Sequence, residues 1–365
     1  MPHHPRCEFT IDRQRIASCR LDAGQVPAPL GSGEVLVRCR DLALTANNVT
    51  YALVGEQFGY WRCFPTSDPS RGLVPGWGLA EVIASAHPGI PVGCQLFGFL
   101  PMAESVRLVL GPELGGQHEE VSPDRQEIDP VYRRYQRLDR LPGLSPEIAR
   151  LMPVFWPLFL TAFLIDHQLA EKSWSGAGHL IISSASSRCG QALAWLTRRR
   201  GGAAPRIIGL TSPERVAAVR AGGVCDSVLP YAAIDTIAAD APVCYVDFSG
   251  NTEIRSRIHR NLAVTDSLMV GATDHQHWAG LTPDPTLPGA TPRFFFAPTA
   301  AGTLLATLGP AAFLAGITGP WQAFLAEVSP RHRLEGIDGQ RLISLWPELC
   351  AGRGFDPDRS FNVTL

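Results

Sequence analysis

The sequence predicts an α/β protein in two parts, a β-rich N-terminal domain and then a doubly wound parallel-sheet domain. Three observations carry that reading. The chain has 365 residues, more than one hydrophobic core usually supports. Its first stretch, to about residue 145, reads as short alternating strands with frequent turns. From Pro146 to about residue 329, apolar runs alternate with segments long enough for helices, the pattern of a parallel sheet covered on both faces.

The elements follow in order. "EVLVRCRDLAL" (Glu34 to Leu44) alternates like a half-buried strand, "LVPGWGLAEVIAS" (Leu73 to Ser85) is a Pro-Gly turn feeding a strand, and "VGCQLFGFLP" (Val92 to Pro101) is a third. "SPDRQEIDPVYRRYQRLDRLPGLS" is polar and charged, which predicts a surface excursion before the second domain. "SPEIARLM" then opens a helix, with Ser145 at the cap and Glu147 in the first turn. "LMPVFWPLFLTAFLI" (Leu151 to Ile165) is shorter than a membrane span requires and carries Pro153 and Pro157, which predicts a buried helix and its entry turn. "HLIISS", "RIIGLTS", "SVLPY", "VCYVDFSG" and "SLMVGATD" supply the sheet strands. "SPERVAAVRAGG" has a helix signature, with Ser212 at the cap, Pro213 at the first position and Gly222 at the exit. "PRFFFAPTAAG" is a late strand with a turn, and the last 45 or so residues give two helices and a terminal strand, "SFNVTL".

Composition narrows the function classes. A formal net charge of −2 gives no reason to expect a nucleic-acid or membrane partner. The only lysine is Lys172, which sets aside Schiff-base and P-loop lysine chemistry. Nine cysteines without a C-x-x-C pair predict reduced thiols in a cytoplasmic setting, and "MPHHPRCEFT" lacks the apolar core of a signal peptide. No G-x-S-x-G, H-E-x-x-H or P-loop motif occurs.

"LIISSASSRCGQALAWL" (Leu180 to Leu196) reads as strand, tight turn and helix, the place where a dinucleotide-binding turn belongs. Such turns are usually glycine-rich, and this one carries serines. A phosphate there is held mainly by backbone N–H groups and the helix dipole, which serines retain, but their Cβ restricts positive φ. From this turn alone, a dinucleotide site and an ordinary serine-capped turn fit equally well.

The collinear order of these pieces resembles the medium-chain dehydrogenase/reductase superfamily, and within it the zinc-free, quinone-oxidoreductase-like members. "GEVLVRCRDLALTANNVTYALVG", "LVPGWGLAEVIAS", "VGCQLFGFL", the Leu160-Thr161-Ala162 helix and the serine turn carry the likeness. "SSASS", "GLTSP", "VDFSGN" and "RFFFAP" together resemble one divergent branch of it. The resemblance implies a GroES-like catalytic domain (1–145, completed by about 330–365) and a Rossmann-type nucleotide domain (146–329). Two departures matter. Trp77 stands where zinc-binding members have a histidine, so no catalytic zinc is expected. The A-x-x-G-x-x-G pattern reads Ser184-x-x-Ser187-x-x-Gly190, keeping only the glycine that allows close helix–strand packing.

The resemblance also assigns candidate residues. The end of the second sheet strand offers Thr211, Ser212 and Arg215 where NAD sites carry an acid, a set that suits a 2′-phosphate and hence NADP(H). Ser184, Ser187, Arg188 and Gly190 are expected at the pyrophosphate, and Ser249 and Gly271 where later strands end. Candidate catalytic groups are Tyr60 as proton donor, Asn48 as a loop amide, and His275 in "GATDHQHW". Each has a structural alternative: Tyr60 as core packing, Asn48 as a loop cap, His275 as a solvated loop residue. The implied function is an NADPH-dependent oxidoreductase reducing an activated alkene or carbonyl of a small molecule, working as a homodimer paired through "RFFFAP". The alternative is a non-redox enzyme or binding protein on the same fold, with a decayed cofactor turn.

Overall fold

The computed structural model describes residues 6–24, 29–141, 144–271, 284–354, 356 and 358–365. The chain divides into two compact units, Met1–Pro157 with Arg331–Leu365, and Leu158–Pro330.

The first unit contains β1 (Arg6–Asp12), β2 (Cys19–Gly24), β3 (Glu34–Arg40), β4 (Leu42–Leu44), α1 (Ala46–Leu53), α2 (Tyr60–Cys63), β5 (Arg71–Leu73), β6 (Pro75–Ser85), β7 (Gln95–Pro101), β8 (Ser105–Leu114), β9 (Gln117–Glu120) and β10 (Arg134–Arg137). Six of these close a barrel in the order β10-β7-β6-β3-β8-β9, and β2-β1-β5 form a separate sheet. The predicted strand Glu34–Leu44 is two strands, because Asp41 turns left-handed with φ 45°. The charged segment after residue 121 is not merely a surface excursion. It supplies β10, which pairs with β7 and β9 and buries Tyr135 to 1% exposure, its hydroxyl donating to the Phe99 carbonyl at 2.7 Å. Alternation in "RYQR" places Tyr135 inward and leaves Arg134 outside.

Helix α3 (Pro146–Glu171) runs unbroken through Pro153 and Pro157, and no entry turn separates its two parts. Each proline removes a helix hydrogen bond, but apolar burial on several faces offsets that cost: Val154, Phe159, Ala162, Ile165 and Leu169 are all at 0–2% exposure. Among the described residues α3 is long and apolar enough to cross a membrane by length and composition, yet 56% of its apolar window is buried inside the protein.

The second unit is the parallel sheet: β11 (His179–Ile182), α4 (Arg188–Arg198), β12 (Arg206–Thr211), α5 (Val216–Ala221), β13 (Ser227–Pro230), β14 (Val243–Asp247), α6 (Thr252–Asn261), β15 (Val264–Met269), β16 (Arg293–Phe294), α7 (Ala297–Leu308) and α8 (Pro310–Val328). Strand order is β13-β12-β11-β14-β15-β16, and all five pairings are parallel. This is the doubly wound order, with its topological switch between β11 and β14, where such sheets open a crevice at the strands' carboxyl ends. Ile181, Ile208, Val243, Tyr245 and Ile258 pack in one core cluster. The chain then returns to the first unit as β17 (Arg333–Ile337), α9 (Gly339–Cys350) and β18 (Arg359–Val363), where β17-β18-β4 form a sheet.

Candidate functional site

The apolar run "HLII" ends at the switch point, and the serine turn leads from it into α4. Ser187 is the N-cap: its backbone is extended, and its hydroxyl accepts the Gly190 N–H at 3.1 Å. Cys189, in the first turn, has no intrahelical acceptor for its N–H, so the helix start keeps donor capacity and its positive dipole end. Gly190 is required sterically. A Cβ there would lie 2.9 Å from the Ser184 carbonyl oxygen and 3.2 Å from the Ala185 Cα. Ser184, Ser186, Ser187 and Arg188 are half-buried and form the outer surface of the turn.

Ser184 adopts φ 48°, a left-handed conformation that a side chain disfavours. Tyr231, just past β13, holds it there: the Ser184 N–H donates to the Tyr231 hydroxyl at 2.9 Å, and the two hydroxyls lie 3.2 Å apart. Nothing in the local motif announced Tyr231; its only signal was position, the residue after the strand "SVLP". Thr211 is 2% exposed, and its hydroxyl donates to Ser186 at 3.0 Å, so it braces the turn from β12. Ser212 and Arg215 lie at the open end of β12, half-buried, on the short turn Pro213–Arg215. The Ser212 hydroxyl donates to the Glu214 carboxylate, which with the Glu214 backbone amide holds that acid below its ordinary value.

At the end of β14, Ser249 is 1% exposed, and its hydroxyl donates to Asp247 rather than facing outward. Asp247 is fully buried and paired with Arg255 at 3.0 Å. Gly271 lies close to the same loop, where a Cβ would come within 2.9 Å of the Phe248 carbonyl oxygen. His275 lies outside the described residues.

In the first unit, Asn48 is 2% exposed with both ends of its amide engaged: Oδ1 accepts the Thr45 N–H at 2.7 Å, and Nδ2 donates to the Pro75 carbonyl at 2.9 Å. This closes the start of α1. Tyr60 is 4% exposed in an aromatic cluster with Tyr51, Phe99 and Tyr132, and its hydroxyl bonds that of Tyr132 at 2.8 Å. Burial pushes the Tyr60 phenol far above its ordinary value, so the group can donate a hydrogen bond but is a poor source of a full proton. Tyr51 is pushed up to about 12, also by burial, and its hydroxyl accepts the Trp77 Nε1–H at 3.3 Å. Trp77 stacks on Phe97, with ring centroids 5.5 Å apart, and Tyr132 and Trp77 are the half-buried members of the cluster. No group of three histidines, cysteines or acids able to hold a metal occurs among the described residues.

The family model described as "Protein of unknown function (DUF2855)" matches residues 42–354. The chain belongs to that family. No curated protein matches. Several solved structures share the fold at low identity. The enoyl reductase CurK is 13% identical over 99% of this chain and 100% of its own, with a TM-score of 0.57. CurA from Vibrio vulnificus, in complex with NADPH, is 13% identical over 95% of both chains, with a TM-score of 0.58. A quinone oxidoreductase from Pseudomonas syringae pv. tomato is 14% identical over 98% of this chain and 99% of its own, with a TM-score of 0.54. This member of the family thus has the medium-chain dehydrogenase/reductase fold, with a GroES-like barrel and a Rossmann-type sheet.

Proposed function

We propose that this protein is an NADP(H)-dependent oxidoreductase that reduces an activated alkene or carbonyl of a small molecule. The observation that carries the reading is the turn at the switch point of a doubly wound sheet. It keeps a helix N-terminus, a serine cap and the one glycine that close packing requires, so the dipole and first-turn donors survive the loss of the other glycines. The NADPH complex of CurA, built on the same fold, supports the same choice of cofactor.

The residues fit the group. The first turn of α4 and the half-buried Ser186 and Ser187 would face the pyrophosphate, and Ser212 and Arg215 the 2′-phosphate. Ser184, Thr211, Ser249 and Gly271 shape these loops from behind. When bound, NADPH supplies the hydride. In the first unit, the Tyr60 hydroxyl donates to that of Tyr132, which leaves the half-buried Tyr132 its own O–H as a hydrogen-bond donor. Chemistry proceeds without zinc, because Trp77 fills its position with an indole. The chain pairs with a second copy at β16, the edge strand of the sheet, for which light scattering at micromolar concentration is the check.

Fluorescence titration with NADPH and NADH tests the main proposal. Saturable NADPH binding, tighter than NADH, is expected. Failure to bind either overturns it in favour of a non-redox role for the fold.

A further inference from the structure

Backbone pairing between β11 and β14 ends where the Ser183 N–H donates to the Val246 carbonyl at 3.1 Å. From there Ser183 and Asp247 continue the ladder with side chains. The Ser183 hydroxyl donates to Asp247 Oδ1 at 2.8 Å and accepts the Phe248 and Ser249 N–H groups at 2.9 and 3.1 Å. The same Oδ1 accepts the Ser249 N–H at 3.0 Å, the Ser249 hydroxyl at 2.7 Å and the Gly250 N–H at 3.0 Å, while Oδ2 takes Arg255. Ser183 and Asp247 are both at 0% exposure.

Two consequences follow. The donors of the 248–250 turn point inward and are already used, so that turn cannot offer them to a ligand. The serine turn, in contrast, begins at the residue directly after Ser183, and Ser184 sits in a conformation that persists only where its surroundings fix it. A buried carboxylate near a phosphate site would repel the phosphate if left unneutralised. Arg255, on the far oxygen, cancels it.

We infer that Ser183 and Asp247 are a positioning pair, clamping the serine turn across the switch point in place of the glycines it lacks. Its link to phosphate binding rests on the proposed NADP(H) reading; the clamp itself does not. Neither residue touches the cofactor in this account; both act through the turn.

Ser183→Ala removes the hydroxyl that bonds Asp247 and the Phe248 and Ser249 amides, with little change in volume. Hydrogen exchange on the free protein should show amides 184–187 and 248–250 exchanging at least tenfold faster than wild type, with the far-UV spectrum retained. The NADPH dissociation constant should rise at least fivefold. Asp247→Asn combined with Arg255→Met keeps the Oδ1 acceptor and removes the unmatched cation, so it should retain wild-type protection at 184–187, whereas Asp247→Ala with Arg255→Met should lose it. This second comparison decides the matter if Ser183→Ala fails to fold. Faster exchange confined to 248–250, with 184–187 unchanged, would overturn the clamp. A wild-type protein that ignores NADPH would instead sink the functional proposal and leave the exchange result to judge the clamp alone.

Discussion

The Ser184 amide and the Tyr231 hydroxyl, 2.9 Å apart, join the end of the first sheet strand to the end of the third. Tyr231→Phe removes the acceptor from a half-buried N–H and leaves a left-handed serine unsupported. It should cost about 1–2 kcal/mol in urea denaturation. Ser184→Gly in the same background should recover about 1 kcal/mol, since glycine adopts positive φ without penalty. Unchanged midpoints in both variants would show that the contact carries no weight.

Gly190 packs against backbone atoms that cannot move aside. Gly190→Ala should therefore destabilise the protein by about 1–3 kcal/mol, the range for forced overpacking, and weaken NADPH binding with it. Thermal denaturation and titration on the same sample check both effects. A neutral alanine would mean that α4 sits farther from the Ser184 carbonyl than the 2.9 Å contact requires.

Arg215 and Glu214 oppose each other at the end of β12. Arg215→Ala should weaken NADPH about tenfold, as expected for a lost charge-assisted hydrogen bond, and leave NADH within twofold. Glu214→Gln removes the acid that engages the Ser212 hydroxyl and should tighten NADPH. Equal losses for both cofactors in Arg215→Ala would place the 2′-phosphate elsewhere.

His259 is a buried neutral base. Its ring nitrogens meet the Pro288 carbonyl at 2.9 Å and the Ser267 hydroxyl at 2.9 Å, and burial lowers its pKa from the ordinary 6.5. The unfolded chain therefore binds the proton first. The contribution is complete above pH 6.5 and is lost as pH falls through the window between 6.5 and the lower folded value. Each pH unit within that window costs up to about 1.4 kcal/mol. Denaturation midpoints should fall from pH 7 to pH 5.5 more steeply in wild type than in His259→Gln. Parallel slopes would contradict this.

Much of the frame was legible because local signals agreed. "HLII" followed by serines and a 3.6-residue apolar period fixed β11, the turn and α4. The Trp77 substitution was visible by position alone. Other features were hidden for physical reasons. Four arginines around "RYQR" masked the alternation that makes β10 a barrel strand. Pro153 and Pro157 read as breaks because sequence shows the lost hydrogen bonds and not the burial that offsets them. Tyr231, Asp247 and Arg255 act through contacts between residues up to 64 positions apart, which no motif spacing encodes. Ser249 and Thr211 were readable as polar groups at strand ends, but not as groups turned inward.

Ser187→Asp reads out whether the serine turn holds a phosphate. Aspartate caps a helix as well as serine does, so the Gly190 N–H keeps its acceptor and stability should stay within about 0.5 kcal/mol of wild type. A negative charge now stands beside the proposed pyrophosphate. NADPH should bind at least tenfold more weakly, about 1.4 kcal/mol, and NADPH-dependent turnover should fall with it. Wild-type NADPH affinity in a folded Ser187→Asp protein would contradict the account and leave the turn as a relic of the fold.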